Sequence, residues 1–521
     1  MKTFVKPPLV LVIFDGWGIG PAGPGNAITS AKTPVMDGLI KDCPYTTLRA
    51  SGSDVGLPKD QEGNSEAGHM NIGAGRVVEQ DAVRISRSIN EGRFFKNAAF
   101  MAAIHHVLKY RSQLHLMGLL TGKQSGHADT DHLLALLAIA RQHRIRSIVL
   151  HLFTDGRDSP PHQGIHFLRA LEKRLKPNER IGTIDGRLYA MDRKKEWKRI
   201  QRTYDALVRG IGRHAETAER AILESYERGE SDEFIEPTVI GSATKNRIRS
   251  NDSIIFYNLR SDRARELTKA FVQKDFNRLN RGAFRRIHAP KNLVFVAMTD
   301  FGPDLRDIYT AFPSVDIYNS LPMALRRYKQ LYIAESEKFA HVTFFLNGGY
   351  DRPVAGEDRV LVPSPDVPSY DAAPEMSARK IADAVIADLA AKRHDIIVLN
   401  FANPDMVAHT GNLAATIKAV ETADRCLGRI VQAVQRRKGT MVITADHGNA
   451  EGLFGADGKS VDTEHSTNPV PFIIVTPRRS TVALRKDGRL ADVSPTILDV
   501  LGIQKPVVMT GTSLIIHRHA A

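Results

Sequence analysis

Four short stretches of the 521-residue chain carry side chains that bind metal ions. Asn403-Pro404-Asp405-Met406-Val407-Ala408-His409 sets a carboxylate and an imidazole four residues apart, one face of a helix if the segment turns helical after Pro404. Thr444-Ala445-Asp446-His447-Gly448 sets the same two ligand types side by side, Thr463-Glu464-His465 adds an imidazole, and Asp15-Gly16-Trp17-Gly18 adds a carboxylate. Three Asp and three His suit Mn²⁺, Zn²⁺, Co²⁺ or Fe²⁺ better than calcium, because imidazole favours transition ions. Six such side chains exceed one closed tetrahedral site. Two divalent ions about 4 Å apart account for them, and such pairs serve in-line displacement at phosphorus by stabilising the attacking and leaving oxygens. Ser65, in Gly63-Asn64-Ser65-Glu66-Ala67-Gly68-His69, is the candidate nucleophile, since metal coordination makes a serine alkoxide available near neutral pH. An Asn-Ser pair also suits a helix N-terminus.

The elements that position these groups are legible as apolar runs that end in an acid. Leu9 to Phe14 precedes Asp15, the run Asp395 to Phe401 precedes Asp405, and Met441 to Thr444 precedes Asp446. Continuous rather than alternating hydrophobicity predicts strands buried on both faces of a parallel sheet, with helices between them. In open α/β sheets the ligand crevice lies outside the carboxyl ends of the strands, so these acids converge and residues from both termini share one domain. The middle of the chain has its own alternation: Leu114 to Leu120, a helical Leu133 to Arg141, and Ser147 to Phe153. It reads as a second α/β domain inserted into the first, with crossings near Gly75 to Glu79 and Phe301 to Ser314. Glycines 73 and 75 and prolines 303 and 313 suit such joins.

Composition narrows the class. With 42% hydrophobic and 25% charged residues the chain is globular, and its length predicts two to four domains. Two cysteines, Cys43 and Cys426, cannot staple a chain of this size, which predicts a reducing compartment. The run Leu9 to Phe14 is too short for a signal core, and no stretch approaches the roughly 20 apolar residues of a membrane span. The expectation is a cytoplasmic protein with no membrane partner. The net charge of +14 admits nucleic acid, membrane or an anionic small molecule. Residues 185 to 286 hold 23 basic against 16 acidic residues, a surplus of 7 that is half of the whole excess. These arginines are interleaved with acids and no nucleic-acid-binding motif accompanies them, which argues against a specific nucleic-acid role.

The strings Phe14-Asp-Gly-Trp-Gly18, Gly63-Asn-Ser-Glu-Ala-Gly-His-Met-Asn-Ile-Gly-Ala-Gly-Arg76, Asp155-Gly-Arg-Asp158, Asp185-Gly-Arg-Leu-Tyr-Ala-Met-Asp-Arg193, Asn403-Pro-Asp-Met-Val-Ala-His409 and Thr444-Ala-Asp-His-Gly-Asn449 closely resemble those of the cofactor-independent (2,3-bisphosphoglycerate-independent) phosphoglycerate mutases of the alkaline phosphatase superfamily. The resemblance runs in order from about residue 8 to about 515. It implies an α/β, alkaline-phosphatase-like parallel-sheet domain (1–77 and 310–521) with an inserted α/β transferase domain (78–309), acting as a monomer. By the same resemblance one ion, Mn²⁺ with Zn²⁺ or Co²⁺ as alternatives, falls to Asp405, His409 and His465; a second falls to Asp15, Ser65, Asp446 and His447. Ser65 then takes the phosphoryl group of 3-phosphoglycerate, and the reoriented glycerate takes it back on its other hydroxyl.

A phosphoglycerate carries a carboxylate and a phosphate, both suited to the planar fork of arginine. By motif match the substrate-binding positions are Arg157, Asp158, Arg187, Arg193, Arg260 and Arg263, with Lys338 from the outer domain; Asp158 contacts a glycerate hydroxyl. Counting back from Asp131-His132-Leu133 aligns His127 with the family's catalytic histidine. The loop departs from the family's Ser-Asp-Gly-Gly-Val-His-Ser-His pattern: it reads Thr121-Gly-Lys-Gln-Ser-Gly-His127, with one residue inserted and glycine at 122 in place of the acid. A displaced His127 tilts the outcome toward hydrolysis. The nearest alternative is a related two-metal phosphatase or phosphomutase.

Overall fold

The computed structural model describes residues 8–122, 125–305, 307–314, 316–455, 458, 460–477 and 482–517. The chain forms two compact units, Met1–Gln80 with Asp316–Ala521, and Asp81–Val315. The joins expected from sequence, at 77/78 and 309/310, fall a few residues earlier.

The discontinuous unit is built on an eight-stranded sheet in the order Asp358–Val362, Gln330–Glu335, Ile396–Phe401, Leu9–Phe14, Thr440–Ala445, Val470–Val475, Tyr45–Arg49, Gly488–Arg489. The strand Leu9–Phe14 lies between two parallel neighbours and is buried along its whole length, which explains its unbroken apolar run. The register sets Phe14 level with Phe401 on one side and Ala445 on the other. Asp15 and Asp446 therefore leave the sheet at the same edge, and Asp405 follows within one turn. Val470–Val475 departs from the all-parallel expectation and runs antiparallel to both neighbours. Because it runs the other way, its beginning meets that edge, and the loop before it carries His465 there.

Helix ends are satisfied across long sequence separations. The helix Pro34–Asp42 has no cap of its own, and the buried carboxylate of Asp424, on the helix Leu413–Arg436, accepts from the backbone N–H groups of Val35 at 3.1 Å and Met36 at 2.8 Å. These are first-turn donors that would otherwise lack partners.

The continuous unit has its own eight-stranded sheet, in the order Tyr309–Phe312, Val294–Thr299, Ser253–Phe256, Leu114–Leu120, Ile148–Thr154, Glu179–Gly186, Thr238–Ile240, Arg213–Ala215. All pairings are parallel except that of Thr238–Ile240 with Glu179–Gly186. The helix expected at Leu133 to Arg141 spans Thr130–Gln142, and Asp129 caps it by accepting from the N–H of Asp131 at 2.8 Å. No helix among the described residues is long and apolar enough to cross a membrane.

Leu11 is fully buried in the central strand. Leu11→Ala should cost about 2–5 kcal/mol through lost burial and the cavity left behind. Denaturant unfolding followed by a probe in the discontinuous unit checks this, and a loss below about 1 kcal/mol would show that the site relaxes or is not core.

Candidate metal centre and anion grip

The first cluster gathers where the strand Ile396–Phe401 ends. The backbone N–H of Asp15 donates to the carbonyl of Phe401 at 3.1 Å, and Gly16 follows with φ +70°. A Cβ on Gly16 would lie 2.8 Å from that of Asp405, so glycine lets the two loops close on each other. Asp405 sits in the first turn of the helix Asn403–Ala408, begun by Pro404, and His409 caps its end. The Asp405 Oδ1 is 3.4 Å from Nε2 of His409 and 3.4 Å from Nε2 of His465. Nδ1 of His409 donates to the carbonyl of Thr463 and Nδ1 of His465 to that of Gly63, each at 2.8 Å. A carbonyl can only accept, so both protons sit on Nδ1 and both Nε2 lone pairs point inward, 3.1 Å apart. Facing lone pairs beside a carboxylate need a proton or a cation between them, and the backbone carbonyls orient the rings as outer partners orient metal ligands.

The second cluster centres on Ser65, the first residue of the helix Ser65–Ala74 rather than its cap. Asn64 is the cap and accepts from the N–H of Ala67 at 2.8 Å. The Ser65 hydroxyl lies 3.2 Å from Oδ1 of Asp15 and 2.9 Å from Nε2 of His447. Asp446 Oδ1 accepts from the N–H groups of Gly16 at 3.3 Å and His447 at 3.1 Å, whereas its Oδ2 is buried without a hydrogen-bond partner, 3.5 Å from Nε2 of His447. An orphaned carboxylate oxygen, a hydroxyl and an imidazole nitrogen aimed at one place fit a divalent ion. Three-residue groups of metal-ligand type accordingly occur at Asp405, His409 and His465, and at Asp15, Asp405 and His447.

Lys338, expected among the substrate contacts, lies buried between the two clusters. Its Nζ is 2.6 Å from Asp15 Oδ1 and 2.7 Å from Asp405 Oδ2, and donates to Ser65 Oγ at 2.8 Å. Burial disfavours its charge, but Asp15, Asp405 and Asp446 outweigh that and hold the ammonium well above the usual lysine range. Burial likewise opposes ionisation of Asp15, and Lys338 with His447 overrides it and holds the carboxyl well below its usual range. Burial works against a charged His447 too, yet Asp446, Asp15 and Asp405 push it up to about 10.

Sequence reasoning missed the groups that orient these ligands. His69, one helical turn beyond Ser65, forms a third Asp and His group with Asp15 and Asp446. Both its nitrogens are engaged, Nδ1 by the carbonyl of Ser65 at 2.9 Å and Nε2 by the amide of Asn400 at 3.1 Å. The same Asn400 amide donates to Asp15 Oδ2 at 2.7 Å, so His69 and Asn400 orient Asp15 and Ser65. The i, i+4 spacing of Ser65 and His69 was the available signal. Glu451 ties two ligand loops together, accepting from the N–H of Gly18 at 3.0 Å and of Asn449 at 2.9 Å.

The continuous unit holds the anion grip around Arg187, whose guanidinium is 2% exposed. Its Nη1 pairs with Asp155 Oδ1 in a short contact and with Asp158 Oδ1 at 3.1 Å. Asp155, unassigned by the sequence reading, also accepts from the N–H groups of Arg157 and Asp158 at 3.2 Å each and from the Thr121 hydroxyl at 2.5 Å. It thereby fixes the turn on which two expected binding residues sit. Asp158 Oδ2 accepts from the Ser125 hydroxyl at 2.7 Å, and Ser125 Oγ accepts from the N–H of His127 at 3.1 Å. His127 is buried with its Nδ1 unpartnered. Burial, then Arg187, lowers its pKa to about 4, so the ring is neutral at physiological pH. Arg260 also presses on His127 electrostatically; Arg263 feels Arg187, Arg193 and Arg157. Arg193 pairs with Asp262 at 3.2 Å, and Arg157 reaches Glu233 only at 3.6 Å and is half exposed. All seven expected residues of this unit thus belong to one electrostatic cluster, which extends Asp155, Ser125, Asp262 and Glu233 into it. Lys123 and Gln124, in the loop that departs from the family pattern, lie outside the described residues.

A double set of Asp and His around three buried carboxylates at the carboxyl edge of an α/β sheet is the mark of a metal-dependent enzyme, and the metalloenzyme superfamily matches residues 7–505. The chain is 48% identical over 522 residues to the 2,3-bisphosphoglycerate-independent phosphoglycerate mutase of Moorella thermoacetica, covering 99% of this chain and 100% of the relative. It is 48% identical to the enzyme of the same name from Thermomicrobium roseum, with 98% of each covered. Among solved structures it is similar to Leishmania mexicana phosphoglycerate mutase crystallised at low cobalt concentration, with a TM-score of 0.77, 30% identity and 99% of each chain covered. The chain belongs to the 2,3-bisphosphoglycerate-independent phosphoglycerate mutases.

Two outcomes follow from the metal centre. In the metal-free protein the pKa of His447 rises from the ordinary 6.5 to about 10 on folding, so the stability this ring contributes is full below about pH 6.5 and is lost as pH rises toward 10. A divalent ion held by His447 would have to expel that proton, so the affinity for such an ion, probed with Mn²⁺, should rise with pH over the same window. Calorimetric titration in buffers of different ionisation heat should show proton release on Mn²⁺ binding near neutral pH; zero release would contradict the assignment of His447. Gly16→Ala should weaken Mn²⁺ binding at least tenfold by displacing Asp405, and unchanged affinity would show that the loop absorbs the methyl group.

Proposed function

We propose that the chain interconverts 3-phosphoglycerate and 2-phosphoglycerate through a phosphoserine at Ser65, without 2,3-bisphosphoglycerate. The observation that carries this is the convergence of Asp15, His447 and Lys338 on the Ser65 hydroxyl, at 3.2, 2.9 and 2.8 Å. Asp405, His409 and His465 are the ligands proposed for one divalent ion, and Asp15, Ser65, Asp446 and His447 for the other. When bound, such ions neutralise phosphoryl oxygens and lower the pKa of a coordinated hydroxyl. Mn²⁺ is the ion proposed for both sites, and a cytoplasmic monomer the working form.

The chain's own groups divide the remaining tasks. Ser65 Oγ forms the new bond to phosphorus as the bond to the C3 oxygen of the substrate breaks. Its place at the start of the helix Ser65–Ala74 sets the resulting phosphoserine at the positive end of the helix dipole. Lys338 offers a charged donor at the same oxygen. Arg187, Arg157, Arg193, Arg260 and Arg263 supply guanidinium groups for the carboxylate and phosphate of the substrate. Asp158 is ionised: burial raises its pKa, but Arg187 and Ser125 lower it further. It can therefore accept a hydroxyl proton of glycerate, which an all-arginine trap could not do. The neutral His127 has an unpartnered nitrogen with which to hold or move a proton. Return of the group to the C2 oxygen breaks the Ser65 bond and yields 2-phosphoglycerate.

Metal-stripped protein supplied with 3-phosphoglycerate should form 2-phosphoglycerate only after Mn²⁺ is added, with the bisphosphate absent throughout. Release of inorganic phosphate in place of 2-phosphoglycerate would assign the chain to the phosphatase alternative. Within the same assay Asp158→Asn should lower conversion at least a hundredfold, because glycerate then lacks its proton acceptor; conversion within tenfold of the parent would remove Asp158 from that role.

A further inference from the structure

The continuous unit buries a row of ionisable side chains that neither the metal centre nor the anion grip uses. Asp252, His115, His151, Thr183 and Asp185 are each 2% exposed or less. His115 lies on Leu114–Leu120, His151 on Ile148–Thr154, and Thr183 and Asp185 on Glu179–Gly186, while Asp252 immediately precedes Ser253–Phe256. An irregularity in the pairing brings them into line: Leu150 pairs with Ile181 but His151 pairs with Thr183, so Gly182 is the extra residue. The bulge turns Thr183 to the His151 side of the sheet.

Four contacts join the five groups. Asp252 Oδ2 is 3.1 Å from His115 Nε2, His115 Nδ1 is 2.9 Å from His151 Nε2, His151 Nδ1 is 3.2 Å from Thr183 Oγ1, and Thr183 Oγ1 is 2.9 Å from Asp185 Oδ2. Asp252 also accepts from the N–H groups of Gln113 at 2.9 Å and Arg249 at 2.7 Å, which fixes it as the accepting end. The other charge that reaches the row is Arg180, felt by His151 and itself bonded to Asn246 at 2.7 Å and Ser147 at 3.0 Å.

We propose that these five groups form a proton relay, in which a proton passes between Asp185 and the His115–Asp252 pair with no change in the total charge of the row. In one arrangement the Asp185 O–H donates to Thr183 Oγ1, the Thr183 hydroxyl donates to His151 Nδ1, His151 Nε2–H donates to His115 Nδ1, and His115 Nε2–H donates to Asp252. In the other, the first three of these protons have each moved one place. Thr183 then donates to the Asp185 carboxylate, His151 Nδ1–H to Thr183, and His115 Nδ1–H to His151, while the His115 imidazolium still donates to Asp252. Both arrangements carry three protons on Asp185 and the two rings together, and both put one proton in every contact. One proton fewer leaves two buried lone pairs facing each other; one more forces two protons together. Either costs an unsatisfied buried group. The proton content of the row is thus fixed while its position is free. Burial pushes Asp185 up to about 7, which favours the first arrangement, while burial, His115 and Arg180 hold His151 well below its ordinary value, in keeping with a ring that is neutral in both. Asp185 is the last residue but one of its strand and lies two residues before Arg187, so the relay sets whether that strand end carries a negative charge.

The test uses full-length protein labelled with ¹⁵N at histidine and follows the ring nitrogens of His115 and His151 across mildly acidic to alkaline pH. Because the proton content of the row is fixed, the relay predicts no titration midpoint for either ring within this range, and ring-nitrogen shifts of His115 and His151 that move together with temperature as the proton changes place. In Asp185→Asn, and in Thr183→Val, which cuts the row in the middle, that joint movement should be lost, with the shift at His115 altered although position 185 is three contacts away. A separate midpoint for either ring in the parent protein, or an unchanged His115 in both variants, would overturn the relay. The measurement on the parent protein decides the matter even if a variant fails to fold, and no turnover enters the readout.

Discussion

Three buried carboxylates at one sheet edge cannot stand together without positive charge, and the discontinuous unit is organised around that demand. Asp15, Asp405 and Asp446 are each 1% exposed or less. Their repulsion is strong where water is excluded, and an uncompensated buried charge costs several kcal/mol. In the metal-free chain Lys338 and a protonated His447 meet the demand. The same arrangement suits cations: on the two-ion reading proposed above, His447 would give up its proton, and His409 and His465, whose imidazoles face each other, would complete a donor set with Asp405. Ser65 sits where these charges meet, so electrostatic balance and nucleophile activation are one problem with one solution.

Backbone geometry delivers the charges to that point. Parallel pairing of Leu9–Phe14 with both neighbours puts Asp15 and Asp446 level, the reversed strand Val470–Val475 returns His465 to the same edge, and Gly16 removes the side chain that would hold the loops apart. Around them lies a layer of orienting groups: Asn400, His69, the carbonyls of Gly63 and Thr463, and Asn449, whose side-chain amide donates to Asp405 Oδ1 at 2.8 Å. The continuous unit follows the same plan with the sign reversed. There Arg187 is buried against Asp155 and Asp158, and the surplus arginines are left to meet an anion.

Much of this was legible in the sequence because the relevant signals are local. Unbroken apolar runs ending in an acid marked the central strands, and long motif strings carried Ser65, five of the six candidate Asp and His ligands and the arginines at 157, 187 and 193, while His465, Arg260 and Arg263 stood outside them. Other features were hidden because they depend on partners distant in the chain. The antiparallel course of Val470–Val475 has the same apolar content as a parallel strand. Lys338 read as a substrate contact, since nothing local says that strand pairing brings it between Asp15 and Asp405. Asp155 and His69 stood inside the motif strings, yet their orienting roles appear only when their acceptors and donors, from Thr121, Ser65 and Asn400, are in place. The row from Asp252 to Asp185 spans four separate strands or strand ends and has no sequence signature at all.

On the proposed mechanism the phosphoryl group passes through Ser65. Its most direct test is rapid acid quenching of the Mn²⁺-loaded enzyme during turnover of 3-phosphoglycerate, followed by mass spectrometry of the peptide that contains Ser65. Phosphate on Ser65, present only with both Mn²⁺ and substrate, is the predicted result. Full conversion to 2-phosphoglycerate with that peptide unmodified at every quench time, or with the phosphate on another residue, would contradict it.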